Sequence, residues 1–98
     1  DGKIAKFPDA PTLRGKRHLD ELIFSINGGY KSIILFLILR GDAIDFTPNM
    51  EMDPNFSYTL KEAKTKGVNI VAYSFENIYK KDVMEINPFK RLNLKIDF

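Results

Sequence analysis

Two apolar runs separated by a helix-like segment constrain the fold more than any other feature of the sequence. SIILFLILR, residues 32–40, is apolar at almost every position, which is typical of a parallel or central strand buried on both faces. VNIVAYSF, residues 68–75, is a second apolar run of strand length. A strand, a crossover helix and a second strand within about 45 residues predict a right-handed βαβ unit with parallel strands.

The segment between the two runs carries start and stop signals of a helix. Asp53 supplies a capping carboxylate, Pro54 follows at the first helical position, and Gly67 ends the pattern. Apolar residues at Phe56 and Leu60 lie on one side of this helix, with Ala63 one turn further. We expect these residues, together with Phe46, to fill the core.

An earlier helix is predicted at about residues 13–27. Thr12 precedes it as a capping residue, and Gly28-Gly29 ends it. One face is apolar at the i, i+3, i+4, i+7 spacing, through Leu19, Leu22, Ile23 and Ile26.

The remaining segments carry weaker patterns. Residues 1–11, interrupted by glycine and proline, and residues 41–52 are predicted to be irregular. DVMEI and LNLKIDF, on either side of Pro88, alternate apolar and polar residues and are predicted to be edge strands. The predicted order is α-β-α-β followed by strands. Two strong strands are few for two helices, so an α/β fold of this kind is incomplete in one 98-residue domain.

Composition excludes several kinds of site. The chain has no cysteine and one histidine, so disulfides, thiolate chemistry, zinc ribbons and multi-histidine metal sites are excluded. The net charge of +2 permits a polyanionic partner without requiring one. No apolar run reaches the roughly 18 residues that cross a bilayer, and the chain opens with the polar DGKIAK. We expect a cytoplasmic protein without a membrane partner.

A cluster of basic residues lies at the start of the first helix. Arg14, Arg17 and His18 share one side of it, close to free backbone N–H groups and the positive end of the helix dipole. Cations are locally unfavourable there, so their position favours a nearby phosphate or carboxylate. Alternatively, the cations form a solvated face balanced by Asp20 and Glu21, as charged runs commonly do.

Other polar residues leave alternatives open. Asp9 suits a metal ligand, a helix-orienting cap or a salt-bridge partner of Arg14, and His18 suits a general base or a structural hydrogen bond. Gly15 permits close approach of a backbone or a ligand. Arg40 ends an apolar strand, where it faces a ligand or forms a structural ion pair. Four carboxylates follow it, but their spacing matches no calcium loop, and we predict no metal site among Asp42, Asp45, Glu51 and Asp53.

Several segments together resemble one protein family. FPDAPTLRGKRHLDEL, residues 7–22, resembles the hallmark FPDAxTxRGxKHLxEL of the sugar fermentation stimulation protein A (SfsA) family. Further along, ILFLILR resembles the family's strand ending in arginine, and DFTPNMEMDPNF resembles its sFxPNxxxDPxF segment. AKTKGVNIVAY resembles its AxxxGVxxxAY segment. The likeness spans about residues 6–75, in order and with similar gaps.

The resemblance implies an incomplete restriction-endonuclease-like fold of the PD-(D/E)xK type. Full-length members resemble an N-terminal OB-like barrel joined to a nuclease-like domain, with an acidic residue and a Glu-x-Lys pair on strands ahead of the hallmark helix. Residues 1–98 then form the C-terminal part of that domain, without the barrel and the first strands. Glu62 and Lys64 have the Glu-x-Lys spacing inside a helix, and Pro8-Asp9 belongs to the hallmark loop. No catalytic residue, metal or cofactor is therefore expected in this chain, whereas Mg²⁺ is an option for an intact parent.

The resemblance also implies a function. We expect DNA binding with little sequence preference, linked to regulation of sugar (maltose) metabolism, in which Arg14, Arg17, His18 and Arg40 contact phosphates. Asp9, Thr12 and Glu21 are expected to orient the hallmark loop. One alternative is that these residues support a metal-dependent nuclease site whose acidic residues lie upstream. Another is a homo-oligomer that pairs through the strand edges at residues 33–39 or 68–75.

Overall fold

The computed structural model describes residues 3–74, 77–80, 83–86 and 90–96, with the backbone alone for 77–80 and 83–86. It contains two helices, α1 (Leu13–Asn27) and α2 (Pro54–Lys66). The strands are β1 (Ile4–Phe7), β2 (Ile33–Ile38), β3 (Asp45–Pro48), β4 (Asn69–Ser74), β5 (Asn77–Lys80), β6 (Val83–Ile86), β7 (Lys90–Arg91) and β8 (Asn93–Leu94). The chain is therefore a mixed α/β protein, as predicted. Within the described residues, no helix is both long and apolar enough to cross a membrane.

The strands form two three-stranded sheets and one two-stranded sheet. In the first sheet the order is β1-β3-β8, and all neighbours are parallel. In the second the order is β2-β4-β7, with β2 and β4 parallel and β7 antiparallel. The third consists of β5 and β6 in antiparallel pairing. The predicted parallel pairing of the two apolar runs is confirmed, in a register that places Ile33 opposite Asn69 and Ile38 opposite Ser74.

Two segments predicted to be irregular are in fact strands. β1 lies within residues 1–11 and β3 lies within residues 41–52, and they pair with each other from Ile4 opposite Asp45 to Phe7 opposite Pro48. A strand therefore precedes α1, and the predicted α-β-α-β order is wrong. Each segment has only four residues beside prolines and glycines, so no periodic pattern marks it in the sequence. The pairing between distant segments supplies the stability that neither has alone.

The apolar run of β2 is not buried on both faces. Phe36 is buried, and Ile34 and Ile38 pack against the core, but Ile33, Leu35 and Leu37 on the opposite face are exposed. The predicted double burial is wrong within the described residues, because the core packs against only the face of β2 that carries Phe36.

The helices bury the faces that the sequence predicts. Leu19 and Ile23 of α1 are buried against Phe56, Leu60 and Ala63 of α2 in one core cluster. At its centre lies a cluster of aromatic rings from β1, β2, β3 and α2. The Phe36 and Phe46 rings are stacked with centroids 4.7 Å apart, and the Phe7 and Phe56 rings meet edge to face with centroids 5.4 Å apart. The expectation that Phe46 and Phe56 belong to the core is confirmed.

The two helices pack with their N-termini at the same end of the molecule. At this end the residue before α1, Thr12, hydrogen-bonds the residue before α2, Asp53. At the opposite end, Gly67 after α2 lies beside Ile26 of α1, and its left-handed conformation (φ 107°) ends the helix as predicted. The positive ends of both helix dipoles therefore coincide.

Candidate functional site

Asp53 joins the N-termini of the two helices. Its Oδ1 accepts a hydrogen bond from the backbone N–H of Phe56 at 3.0 Å, which is the predicted cap of α2. Its Oδ2 accepts a second one from the N–H of Thr12 at 2.7 Å, although Thr12 is 41 positions away. The hydrogen bond from Thr12 first, and that from Phe56 second, hold the pKa of Asp53 below its usual range despite burial.

The carboxylate of Asp53 is therefore the internal anion at the start of α1. Thr12 Oγ1 accepts a hydrogen bond from the N–H of Gly15 at 2.9 Å, so the predicted cap of α1 is also confirmed. The N–H groups of Thr12 and Gly15, two of the four at the start of α1, are therefore already engaged within the protein. An external anion at this end cannot use those two N–H groups.

Gly15 permits the close contact between α1 and α2. A Cβ atom at this position would lie 2.9 Å from Thr12 Cγ2 and 3.0 Å from Phe56 Cε1, which is too close for an ordinary contact. The sequence predicts the close approach of a backbone or a ligand at Gly15, whereas the close neighbour from α2 in the structure is the side chain of Phe56.

Asn49 anchors the loop that precedes α1, which we call the hallmark loop (residues 8–12). Its side-chain amide donates to the carbonyl of Pro8 at 3.2 Å, and its backbone N–H donates to the carbonyl of Phe7 at 2.7 Å. Asn49 and Asp53 both belong to DFTPNMEMDPNF. This segment therefore holds the loop at the start of FPDAPTLRGKRHLDEL. Sequence reasoning missed these anchors, although their place inside a quoted motif was the available signal. The carboxylates of Asp9 and Glu21, expected to orient the loop, are exposed.

Arg14, Arg17 and His18, which we call the cation cluster, project from the exposed side of α1 near its start. Across the part of the chain that the structure describes, no carboxylate forms an ion pair with any of them. Asp20 was expected to balance the charge of this cluster, but its carboxylate pairs with Lys16 at 2.9 Å instead. The cluster is therefore available to an external anion.

Arg40 differs from the cation cluster because it already has a partner. Its Nη2 lies 2.9 Å from Asp42 Oδ2 and its Nε lies 3.1 Å from Asp42 Oδ1, a bidentate ion pair, while Nη1 donates to the carbonyl of Ile4 at 3.4 Å. The guanidinium holds the pKa of Asp42 below its usual range. Of the two roles considered for Arg40, the structural ion pair is present.

Two adjoining clefts lie between β1 and β2. The first, of about 410 Å³, is lined by His18 and Gly15 together with Phe7 and β2. The second, of about 680 Å³, is lined by polar side chains of Lys6, Asp9, Arg40 and Asn49 and by residues of β1 and β2. We call them the His18 cleft and the Arg40 cleft. The four predicted phosphate ligands are thus divided, since His18 and Arg40 line different clefts and Arg14 and Arg17 line neither.

The carboxylates near these clefts do not form a metal site. Asp42 is paired with Arg40, Asp53 caps the helices, and Asp45 Oδ1 accepts a hydrogen bond from the Asn93 amide at 3.2 Å. Considering only the described residues, no three histidine or acidic side chains gather into a ligand set. The residues that the structure describes therefore do not fit a Mg²⁺ ion, and they support no chemical step through a metal.

Comparison with known proteins places these features in a family. Residues 1–81 match the family described as "Sugar fermentation stimulation protein RE domain". The chain belongs to the SfsA family. Among its relatives, the sugar fermentation stimulation protein homolog of Caldivirga maquilingensis is 53% identical over 70 residues, which are 71% of this chain and 30% of that protein. The homolog of Methanothermobacter thermautotrophicus is 41% identical over 92 residues, 94% of this chain and 38% of that protein.

A solved SfsA structure has the same fold. Pyrococcus furiosus SfsA in complex with Ca²⁺ matches with a TM-score of 0.84 and 29% sequence identity, over 97% of this chain and 40% of that one. The resemblance inferred from the sequence is therefore confirmed. The chain spans between 30% and 40% of the length of these SfsA proteins.

Proposed function

We propose that the chain binds DNA through phosphate contacts with little sequence preference, as part of an SfsA protein tied to regulation of sugar (maltose) use in a microbial cytoplasm. The observation that carries this proposal is the cation cluster. Arg14, Arg17 and His18 are exposed and without carboxylate partners among the described residues, at the end of the molecule where both helices begin.

The electrostatics of this end favour a polyanion. Each helix N-terminus carries about half a positive charge, and the single carboxylate of Asp53 offsets the two together. The first turns of α1 and α2 contain no acidic residue. The arginines of the cation cluster therefore leave this end with a net positive charge, which a bound phosphate offsets.

The residue types suit phosphate better than base recognition. Arginine presents a planar fork of donors that matches phosphate oxygens. Side chains at positions i, i+3 and i+4 are neighbours on a helix surface, so the cluster forms one short row. Contacts of this kind position a protein on nucleic acid without reading its sequence. Arg40 is a weaker candidate, because Asp42 already occupies its fork.

The chain also has features of a nuclease-like domain. We infer an incomplete PD-(D/E)xK nuclease-like domain, supported by the hallmark segments and by the family description of a RE domain. Glu62 and Lys64 are exposed on α2 and are not candidates for the Glu-x-Lys pair. The pair would lie in a part of the longer SfsA proteins that this chain does not span.

A second candidate is a supporting role in a metal-dependent nuclease. The observation that favours it is the Ca²⁺ ion named for the Pyrococcus furiosus relative, since a divalent cation is what metal-assisted phosphodiester cleavage requires. We expect that relative, given Mg²⁺ or Mn²⁺, to cleave plasmid DNA if this candidate is right, and the present chain to leave it intact. If neither protein cleaves, the binding role stands alone.

Salt dependence tests the binding role. Affinity for two fluorescein-labelled duplexes of unrelated sequence is measured by anisotropy between 50 and 200 mM salt, a range over which phosphate contacts weaken strongly. We expect Arg14→Ala and Arg17→Ala each to reduce the slope of log K against log salt by about 0.9. Lys64→Ala is the matched control, because it removes the same charge at the opposite end of α2. An equal change of slope in all three variants, or no change in the arginine variants, would refute the role of the cation cluster in binding DNA.

A further inference from the structure

The outer face of α1 carries two large apolar side chains that the described chain leaves uncovered. Leu13 is 78% exposed and Phe24 is 79% exposed, whereas Leu19 and Ile23 on the inner face are buried. Leu13 and Phe24 are 11 positions apart, which is about three turns and about 16 Å along the axis, and they differ in direction by only about 20°. Single apolar residues on a surface are ordinary, and what distinguishes these two is the pair of charges between them.

Arg17 and Asp20 lie between Leu13 and Phe24 on the same side of the helix. The four residues are spaced by four, three and four positions, which is the spacing of a seam between two helices of a coiled coil. Like the two apolar residues, Arg17 and Asp20 are exposed. We call Leu13, Arg17, Asp20 and Phe24 the α1 stripe. Polar residues within such a seam lower its stability but specify its register.

The α1 stripe is complementary to itself when two copies run in opposite directions. With a twofold axis at the middle of the stripe, Leu13 lies opposite Phe24 of the second copy. Arg17 then lies opposite Asp20 of the second copy, and symmetry makes each of these contacts twice. Apolar side chains therefore meet apolar ones, and each cation meets an anion.

The same stripe does not suit a pair of helices that run in the same direction. A twofold axis along the helices sets every residue opposite its own copy, so Arg17 meets Arg17 and Asp20 meets Asp20. Like charges placed opposite each other disfavour an arrangement. The flank of the stripe makes the same distinction, because Arg14 approaches Glu21 of the second copy only in the antiparallel pair.

The charges of the stripe are available for this pairing. Among the residues whose side chains the structure describes, no carboxylate forms an ion pair with Arg17. Lys16 occupies Oδ2 of Asp20 in an exposed pair on the same helix. A carboxylate accepts hydrogen bonds at both oxygens, so Asp20 can keep Lys16 and accept Arg17 of a second copy at Oδ1.

We propose that two copies of this chain associate through an antiparallel pair of α1 helices, with Leu13 on Phe24 and Arg17 on Asp20 of the other copy. The balance of the cation cluster by Asp20, which the charged run favours, is then made between copies. One pair of 15-residue helices is a small interface, so the dimer is weak and reversible. The inference does not rest on DNA binding, although a bound duplex and a second copy would compete for Arg17.

Reversal of the two charges tests the pairing. Self-association is measured by sedimentation equilibrium over a wide range of chain concentration. We expect Arg17→Glu, and separately Asp20→Arg, to weaken it at least tenfold, because each variant sets like charges opposite each other at two places. An equimolar mixture of the two variants should associate as tightly as the wild type, because every reversed charge then faces its opposite. Lys95→Glu is the matched control, since it reverses an exposed charge beside the first sheet and should change nothing.

A spin label tests the direction of the helices without altering the α1 stripe, and so keeps the test decisive if a charge variant fails to fold. The chain has no cysteine, so a nitroxide can be attached at Asn27→Cys alone, at the exposed last residue of α1. Labelled copies are mixed with isotope-labelled wild type. The label should broaden the amide signals of residues 9–13, at the start of α1 in the second copy.

Several results would overturn the inference. A wild-type chain that stays monomeric at every concentration is one, and a mixture of the two charge variants that fails to associate is another. Broadening centred on residues 25–29 would show a parallel pair. A dimer that Arg17→Glu leaves intact would show that another surface, such as the exposed face of β2, holds the copies together.

Discussion

Replacing Asp53 with asparagine removes the carboxylate that holds both helix N-termini while preserving its size. Asparagine is a good helix cap and keeps one acceptor, but its NH₂ group then faces one of the two N–H donors, those of Thr12 and Phe56. A hydrogen bond to a charged group is lost and a buried donor is left without a partner, a combined cost of roughly 2–4 kcal/mol. Because small domains are stable by only about 5–15 kcal/mol, this is a large fraction of the total.

Urea denaturation followed by circular dichroism measures the change in the free energy of unfolding. Asp20→Asn is the matched control, since it removes a carboxylate from an exposed i, i+4 pair with Lys16 worth about 0.2–0.5 kcal/mol. A loss of less than 0.5 kcal/mol for Asp53→Asn, equal to the control, would refute the proposed role of Asp53.

The same variant makes a prediction about pH. The folded pKa of Asp53 lies below its usual value, so between the folded and unfolded pKa values the unfolded chain binds more protons, and stability rises with pH. The contribution of Asp53 is complete above the unfolded pKa of about 3.9 and is lost as the pH falls through the folded pKa. The stability gap between wild type and Asp53→Asn should therefore narrow below about pH 4. A gap that stays constant down to pH 2 would contradict this explanation.

Three further substitutions test other contacts. Gly15→Ala should destabilise the chain by about 1–3 kcal/mol despite the better helix propensity of alanine, because the new Cβ overlaps its neighbours. Gly28→Ala is the control and should be neutral in the same urea titration, because its Cβ has no neighbour closer than 3.5 Å. Phe46→Ala should cost about 3–5 kcal/mol through loss of a fully buried ring, and a smaller loss would show that the aromatic cluster is loosely packed. Asp42→Asn removes the carboxylate that pairs with Arg40, so it should strengthen duplex binding and steepen the slope of log K against log salt; an unchanged slope would remove Arg40 from the phosphate ligands.

The helices could be predicted from the sequence because their signals are local. Thr12 and Asp53 cap the helices that they immediately precede, and Gly67 ends α2 in the left-handed conformation that favours glycine. The parallel pairing of β2 and β4 was also predictable, since both are apolar runs of strand length on either side of a helix.

Features that depend on distant partners could not be predicted in this way. β1 and β3 are short and without periodicity, and each is a strand because the other lies beside it. The hydrogen bond between Asp53 and the N–H of Thr12 was equally unpredictable, since nothing near Asp53 in the sequence indicates Thr12 as a partner. The outer face of β2 shows a further limit, because an apolar pattern predicts that a surface is covered without identifying what covers it.

The structure divides the four predicted phosphate ligands, which their positions in the sequence did not indicate. The cation cluster lies where helical spacing predicts, but Arg40 lies in a separate cleft and is paired with Asp42. The segment DFTPNMEMDPNF holds the hallmark loop through hydrogen bonds. Asn49 donates to the carbonyl of Pro8, and Asp53 accepts from the N–H of Thr12. The exposed cations therefore project from a helix whose start is held by hydrogen bonds to Asn49 and Asp53.

The central claim is that the shared N-terminal end of the two helices contacts phosphate. Backbone amide chemical shifts, recorded by NMR while a short DNA duplex is added to the isotope-labelled chain, test it most directly. The account predicts the largest shifts at residues 9–18, and none at residues 61–67 around the opposite end of α2. Shifts centred on the last turn of α2, or a spectrum that does not respond to DNA at low salt, would contradict it.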